Sequence, residues 1–332
     1  MRRSAVATLT AVSVVVAGGL LAGTHADAAV AGPCGTGGVF GNPLPRAAST
    51  ASRIKGGFTF LEGPTWDAAT GTLLMSDIRN PSGSDGVQGA SLLKFTPPAT
   101  VQTLIANSGS NGLAITADSS AVLAATQDKQ EIASFKLSDL SRTTAVANTG
   151  FNSPNDLTIR SDGTVYFTDP NFQRGRRTGE PTGKTSVFRV TGKTVTLVDD
   201  TVKQPNGIVL SPDEKTLYVG ANAENVIYAY PVRPDGSTGP RTRFATISQP
   251  DGATVDCAGN LYWASYSESN NQPGMVHVFT PAGREIGTIA AGRNTTNAAF
   301  GGADRKTLFI TSGTNGDFGL YSIRLNVPGF PY

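Results

Sequence analysis

Six oxygen-bearing side chains recur at near-constant spacing along this chain: Glu62, Asn111, Asn155, Asn206, Asp251 and Asn297. The intervals between them are 49, 44, 51, 45 and 46 residues, and each side chain opens a short apolar run such as Asn206-Gly-Ile-Val-Leu210. Two carboxylates and several amide carbonyls brought to one point form a donor set for a hard cation. Ca²⁺ suits it better than Mg²⁺, which retains waters and wants tighter octahedral geometry. The same dipeptides are also turn signals, and Pro-Asn-Gly or Pro-Asp-Gly alone would account for Asn206 and Asp251 as loop formers. Glu62 is a poor turn former at the equivalent place, and a carboxylate in a narrow channel is costly unless something compensates its charge.

Composition narrows the remaining chemistry. The chain holds two histidines, His25 and His277, so no zinc site can be assembled from several imidazoles. Its two cysteines, Cys34 and Cys257, cannot form a four-thiolate site. Any catalysis therefore rests on oxygen atoms. The 27 basic and 25 acidic residues leave a formal charge of +2 with no basic block, which gives a nucleic-acid role no electrostatic support.

The elements that must position the six residues follow from the repeat itself. Each copy continues with a turn about seven residues on and a β-rich run, as in Asn155-Asp-Leu-Thr-Ile159 followed by Thr164-Val-Tyr-Phe-Thr168. Two further strand-like runs follow, residues 226–232 and 241–247 in the fourth copy and 275–280 and 284–289 in the fifth. Four strands per repeat of about 47 residues define a β-propeller blade, and the spacing predicts an all-β, six-bladed, single-domain propeller over residues 49–332. The last copy supplies only three strands, so the fourth must come from the N-terminal side, at about residues 49–58, and closes the ring. In such a ring the innermost strands line a central channel, and the six residues stand at one mouth of it. The second strands return to that mouth and end at Asp77, Gln127, Asp169, Asn222, Tyr266 and Ser312. Two long loops, residues 78–90 and 170–185, lie at the same mouth, and the second carries Arg174, Arg176 and Arg177. Those arginines could attract an anionic substrate or simply form a solvated surface. His277 falls in a third strand, away from the mouth, and is expected to be structural.

At the N-terminus, Arg2 and Arg3, an uncharged stretch and Ala26-Asp27-Ala28 have the form of a secretory signal, predicting cleavage after residue 28 and a secreted protein without a membrane anchor. A Gly/Pro-rich leader would then occupy residues 29–48. Outside the cell Cys34 and Cys257 have a partner in each other, and a bridge would staple that leader to the body. The alternative is a buried Cys257 and a loose Cys34. Nothing in the sequence demands more than a monomer.

The chain resembles the SMP-30/gluconolactonase/luciferin-regenerating-enzyme family of calcium-dependent six-bladed propellers. The likeness rests on Glu62-Gly-Pro-Thr-Trp66, Ser153-Pro-Asn-Asp-Leu157, Gln204-Pro-Asn-Gly-Ile208, Pro250-Asp-Gly252 and the closing Thr296-Asn-Ala-Ala-Phe-Gly-Gly302. By position, the resemblance implies Glu62, Asn206 and Asp251 as metal ligands, with Asn155 a ligand or a substrate contact. It nominates Asp251 as proton donor and acceptor, and Asn111 and Asp169 as residues lining the pocket. Asn297, from the ring, and Arg174, from the loop, are the further candidates for substrate contact. The chain departs from many bacterial members in ending its second blade strand with Thr126-Gln127, where those have a Glu-His pair. The expected activity is Ca²⁺-dependent hydrolysis of a small-molecule lactone or related ester. The alternatives are a phosphotriester substrate at the same site, or a non-catalytic propeller in which calcium plugs the channel.

Overall fold

The computed structural model describes Cys34 and residues 40–81, 86–147, 150–175, 184–266 and 273–331. The expected signal segment, together with Arg176 and Arg177, lies outside the described residues. The described chain forms six blades of four antiparallel strands, and its helical structure is one short 3-10 turn at Asn222–Glu224.

The innermost strands are Leu61–Asp67, Ser110–Ile115, Leu157–Ile159, Pro205–Leu210, Pro250–Val255 and Asn294–Gly301. Each is hydrogen-bonded to a second strand that returns toward the mouth, such as Val165–Asp169 or Leu261–Ser265. Both strands are covered by neighbouring blades on their two faces, which is why Val165–Asp169 and Leu261–Ser265 are buried at every position. The outer strands face water. Thr100–Ile105 and Thr194–Asp199 contain no buried residue, and their Thr-rich sequences suit an exposed pleated edge.

Six separate apolar clusters fill the six spaces between blades. In one, Phe167 and Phe188 of blade three pack on Ala125 and Ile132 of blade two. In another, Leu61, Leu73 and Phe95 of blade one meet Phe309 and Leu320 of blade six. Trp66 and Phe309 stack there, with ring centroids 5.7 Å apart and planes 12° from parallel. The cores are therefore interfacial, and the ring must close for all six to be complete.

Closure uses the N-terminal segment in two pieces. Ser52–Phe58 pairs antiparallel with Asp317–Arg324 and supplies the fourth strand of blade six. Ala48–Thr50 instead runs parallel to the outer strand of blade five, Glu285–Ala291, as a fifth strand of that blade. The predicted closing strand is thus divided at the buried Ala51, whose N–H still donates to the Ala290 carbonyl at 2.9 Å. Upstream of it, Leu44 is buried in the core between blades five and six, so the end of the leader belongs to the folded body.

Cys34 and the C-terminal segment of the described chain meet on the face opposite the mouth. Cys34 and Cys257 form a disulfide. Cys257 N–H donates to the Pro328 carbonyl at 2.9 Å, Phe330 N–H to Val255 at 3.0 Å, and Asn326 N–H to Pro43 at 2.9 Å. The tail so held covers the far end of the channel, where Phe330 and Pro331 join Trp66, Ile115, Ile159 and Phe300 around a cavity of about 130 Å³. A disulfide that closes a long loop contributes about 2–4 kcal/mol. Replacing both cysteines by serine is expected to lower unfolding free energy by about that amount in denaturant titrations. It should also raise acrylamide quenching of Trp66, because the other tryptophan, Trp263, is fully buried.

Candidate functional site

Glu62, Asn111, Asn206 and Asp251 each occupy the second position of an innermost strand. Asn297 is the fourth residue of its strand, and Asn155 lies just ahead of Leu157–Ile159. In the five blades other than the third, the ladder shifts register beside the ring residue, as between Glu62 and Thr65 or between Pro205 and Ile208. Such bulges leave residues out of the regular ladder and re-aim their side chains. In blade three the bond from Asn155 N–H to the Thr168 carbonyl, 2.9 Å, carries the pairing past the strand's end. All six side chains are buried, with relative exposures of 1 to 6%.

Close contact between adjacent blades draws the ring tight, and glycine permits it. A Cβ at Gly63 would stand 2.2 Å from the Asn111 carbonyl oxygen, and one at Gly207 would stand 2.1 Å from that of Asp251. The residues following the six ring positions are Gly63, Gly112, Asp156, Gly207, Gly252 and Ala298. Blade three therefore puts a carboxylate where four other blades have no side chain. Asp156 is buried, accepts the Leu157 N–H at 2.9 Å and lies 3.5 Å from the Asn297 amide nitrogen. That same nitrogen is 3.5 Å from Glu62 Oε2, so Asn297 spans the two carboxylates. The sequence reading did not single out Asp156; its signal is the break in the glycine pattern.

Three carboxyl groups thus share one desolvated space. Burial, followed by the charge of Asp156, pushes Glu62 up to about 8. Burial raises Asp156 to about 7. Asp251 is raised well above the ordinary carboxylate range by burial first, then by Glu62 and Asp156. None of the three is in an ion pair among the described residues. Asp251 Oδ1 is fully buried and has no hydrogen-bond partner there. No three Asp, Glu, His or Cys side chains among the described residues form a metal cage by themselves, so a cation here would depend on amide oxygens as well. Buried carboxylates, an orphaned oxygen and neighbouring amides are the chemistry of an oxygen-ligand cation site. Glu62, Asp251, Asn206 and Asn155 are the residues that could hold the ion.

The other candidates sit as follows. Asn111 lies beneath the loop after Asp169, with its amide nitrogen 3.5 Å from Gln173 Oε1. Arg174 is on that loop, its N–H 3.4 Å from the Asn171 carbonyl, and its charge partly offsets the burial that raises Asp169 to about 7. Asp169, expected to line the pocket, has no exposed surface. Its oxygens accept the backbone N–H groups of Asn152 and Ser153 at 2.8 to 2.9 Å, so the carboxylate shapes the turn into Asn155. Gln127 donates to the Gln88 carbonyl at 3.0 Å. His277 pairs with Glu285 at 2.7 Å on the outer part of blade five, away from the ring.

Comparison with known proteins agrees with this architecture. The chain belongs to the SMP-30/gluconolactonase/LRE-like family, whose model matches residues 60–314. It is 29% identical over 293 residues to a gluconolactonase of Zymomonas mobilis, covering 76% of each chain. Among solved structures, a gluconolactonase of Xanthomonas campestris superposes with a TM-score of 0.71 at 27% identity, covering 88% of this chain and 99% of that one. A calcium-binding regucalcin of Agrobacterium tumefaciens has the same fold, with a TM-score of 0.68 at 21% identity over 86% of this chain and all of the other.

The electrostatics set a pH dependence. A carboxyl group raised on folding keeps its proton longer in the folded than in the unfolded chain, so stability is lost as pH climbs from the unfolded to the folded pKa. For Glu62 that window runs from 4.5 to about 8. Protein stripped of divalent ions is expected to lose thermal stability across it, and Glu62→Gln should flatten the loss. Melting curves at stepped pH, with chelator and with added Ca²⁺, measure this; Ca²⁺ should restore stability most at the alkaline end.

Proposed function

We propose that this protein is a Ca²⁺-dependent lactonase that opens a small lactone at the channel mouth. The observation that carries the reading is the orphaned, buried oxygen of Asp251 beside a second buried carboxylate, Glu62. The chain's membership of a family that includes gluconolactonases supports the substrate class. The regucalcin of the same fold supports calcium as the cation.

In this reading Glu62, Asn206 and Asp251 hold the ion, with Asn155 as a fourth donor or a contact to the substrate. A Ca²⁺ ion there would supply Lewis acidity toward the lactone carbonyl. The residues of the chain perform the rest. Asp251, ionised in the loaded site, takes a proton from the attacking water as the water oxygen bonds to the acyl carbon. It returns that proton to the ring oxygen as the acyl–oxygen bond breaks, releasing a hydroxy acid. Calcium acidifies water far less than zinc does, so a carboxylate base is a physical requirement. Asn111 and Asn297 offer amide groups to the substrate's polar atoms, and Arg174 offers a positive charge above them. The signal-like first 28 residues support a reaction outside the cell.

A pH-stat assay on sugar, aliphatic and aromatic lactones, with Ca²⁺ and then with chelator, tests the proposal. Acid release should require Ca²⁺ and vanish in Glu62→Gln. Asp251→Asn is expected to lower kcat by about 10²–10⁴-fold. Full turnover in Asp251→Asn with calcium bound would remove Asp251 from the proton transfer. No turnover of any lactone by the calcium-loaded protein would end the lactonase reading and redirect the search to phosphotriesters or a binding role.

A further inference from the structure

We propose that Asp77 and Asp169 are positioning residues for Glu62 and Asn155, and that the cation affinity of the mouth depends on their backbone hydrogen bonds. The inference rests on the reading of Glu62 and Asn155 as cation donors. It starts from a difference among blades in how the chain turns into the innermost strand.

In blades two, four and five the residue two places before the ring residue has left-handed backbone. These are Gly109, Gln204 and Gln249, with φ of 64°, 52° and 39°. In each case its carbonyl accepts the N–H of the residue that follows the second strand: Gln127 to Gly109 at 3.0 Å, Asn222 to Gln204 at 3.0 Å and Tyr266 to Gln249 at 3.1 Å. Side chains assist in two of these blades: Lys203 N–H donates to Glu224 Oε1 at 2.8 Å and Gln204 N–H to Thr185 Oγ1 at 3.2 Å in blade four, and Gln249 N–H donates to Asn225 Oδ1 at 2.7 Å in blade five.

Blades one, three and six lack the left-handed residue: the corresponding positions, Phe60, Ser153 and Thr295, are not among the residues of positive φ. Blades one and three place an aspartate at the mouth end of the second strand, and blade one also keeps the main-chain bond, from Ile78 N–H to the Phe60 carbonyl at 2.8 Å. Asp77 Oδ1 accepts the N–H groups of Thr59 and Phe60 at 2.9 and 3.0 Å. Asp169 accepts those of Asn152 and Ser153, with Oδ1 at 2.9 and 2.8 Å. Relative to the ring residue, the donors are in both cases the third and second residues before it. In each of these two blades a single carboxylate gathers two adjacent N–H groups and holds the bend by which Glu62 or Asn155 enters the ring.

In blades one and three one carboxylate holds both N–H groups, so truncating one side chain releases the two together. Truncating that side chain leaves Glu62 or Asn155 in place chemically but frees the segment that aims it. Outer-shell partners of metal ligands have this effect in general, and their loss weakens metal binding by about 10–100-fold.

The test is a calorimetric titration of Ca²⁺ into chelator-stripped wild type, Asp77→Ala, Asp77→Asn, Asp169→Ala and Asp169→Asn, with hydrogen exchange followed in the same proteins. Each alanine variant is expected to bind Ca²⁺ about 10–100-fold more weakly than wild type. Each asparagine variant, which keeps Oδ1 as an acceptor, should recover most of that loss, an outcome that mere removal of charge would not produce. Amide exchange should quicken in residues 59–62 of Asp77→Ala and residues 152–155 of Asp169→Ala. Alanine variants that bind like wild type, or asparagine variants as weak as alanine, overturn the proposal. Wild type that takes up no Ca²⁺ defeats the cation reading, and the claim about affinity with it. Fast exchange at Thr59, Phe60, Asn152 and Ser153 in folded wild type defeats the positioning claim alone, and decides it even if an alanine variant does not fold.

Discussion

Three carboxyl groups gathered on the axis of a closed ring, with no positively charged side chain paired to them among the described residues, are the constraint around which this molecule is organised. Removing such groups from water is expensive, and proteins ordinarily offset it with a paired charge, a proton or a metal. Here the other ring side chains are the amides of Asn111, Asn155, Asn206 and Asn297, which can donate hydrogen bonds but no charge. Asn297 reaches both Glu62 and Asp156, while one oxygen of Asp251 is left without a partner. Six interfacial cores hold the blades in this arrangement, so the electrostatic cost is borne by hydrophobic packing between blades rather than by local contacts at the mouth.

Near-symmetry makes the ring, and departures from it make the site. The glycine that follows four ring residues lets one strand's backbone approach the next blade's carbonyl or side chain, which a Cβ would prevent. Asp156 and Ala298 break that pattern. Asp156 adds a carboxylate below the ring, and Ala298 is accommodated in blade six, where Asn297 turns toward blades one and three. A ring of identical residues would place equal charge in every direction. Glu62, Asp156 and Asp251 come from blades one, three and five, so blades that bring a carboxylate to the axis alternate with blades that bring only an amide.

Much of this was legible in the sequence because a repeat of about 47 residues fixes both the number of blades and the equivalence of the first residues in their inner strands. Residue type then identified the ring as oxygen-rich. What residue type does not carry is direction. Asp169 and Asp251 look alike as aspartates at strand ends near the mouth. One turns its oxygens to the backbone of a neighbouring turn, and the other leaves an oxygen unpartnered at the axis. Asp156 was hidden for a different reason: beside an asparagine that already matched the repeat, it reads as the second half of an Asn-Asp turn. The division of the closing strand at Ala51 was also illegible, since the strand count calls for one closing strand and no Gly or Pro interrupts residues 48–55.

The two ends of the channel are built on opposite principles, and that bears on how a reaction could be confined. At the mouth, donors are held by bulges, glycine contacts and side-chain-capped turns. At the far end, the C-terminal tail lies across the opening, fixed to the Val255–Cys257 segment by main-chain hydrogen bonds and flanked by the disulfide to Cys34. Asp251 is the second residue of the inner strand that ends at Val255, so one strand connects the proposed proton acceptor to the anchored tail. The tail there joins Ile115, Ile159 and Phe300 in lining the lower channel. Asp156 reaches the upper part of that lower cavity, while Glu62 and Asp251 stand in the ring above it. A small molecule that excludes water from the mouth would desolvate Glu62 and Asp251 further, and the pull of the buried charges on any bound cation would be strongest when substrate is in place.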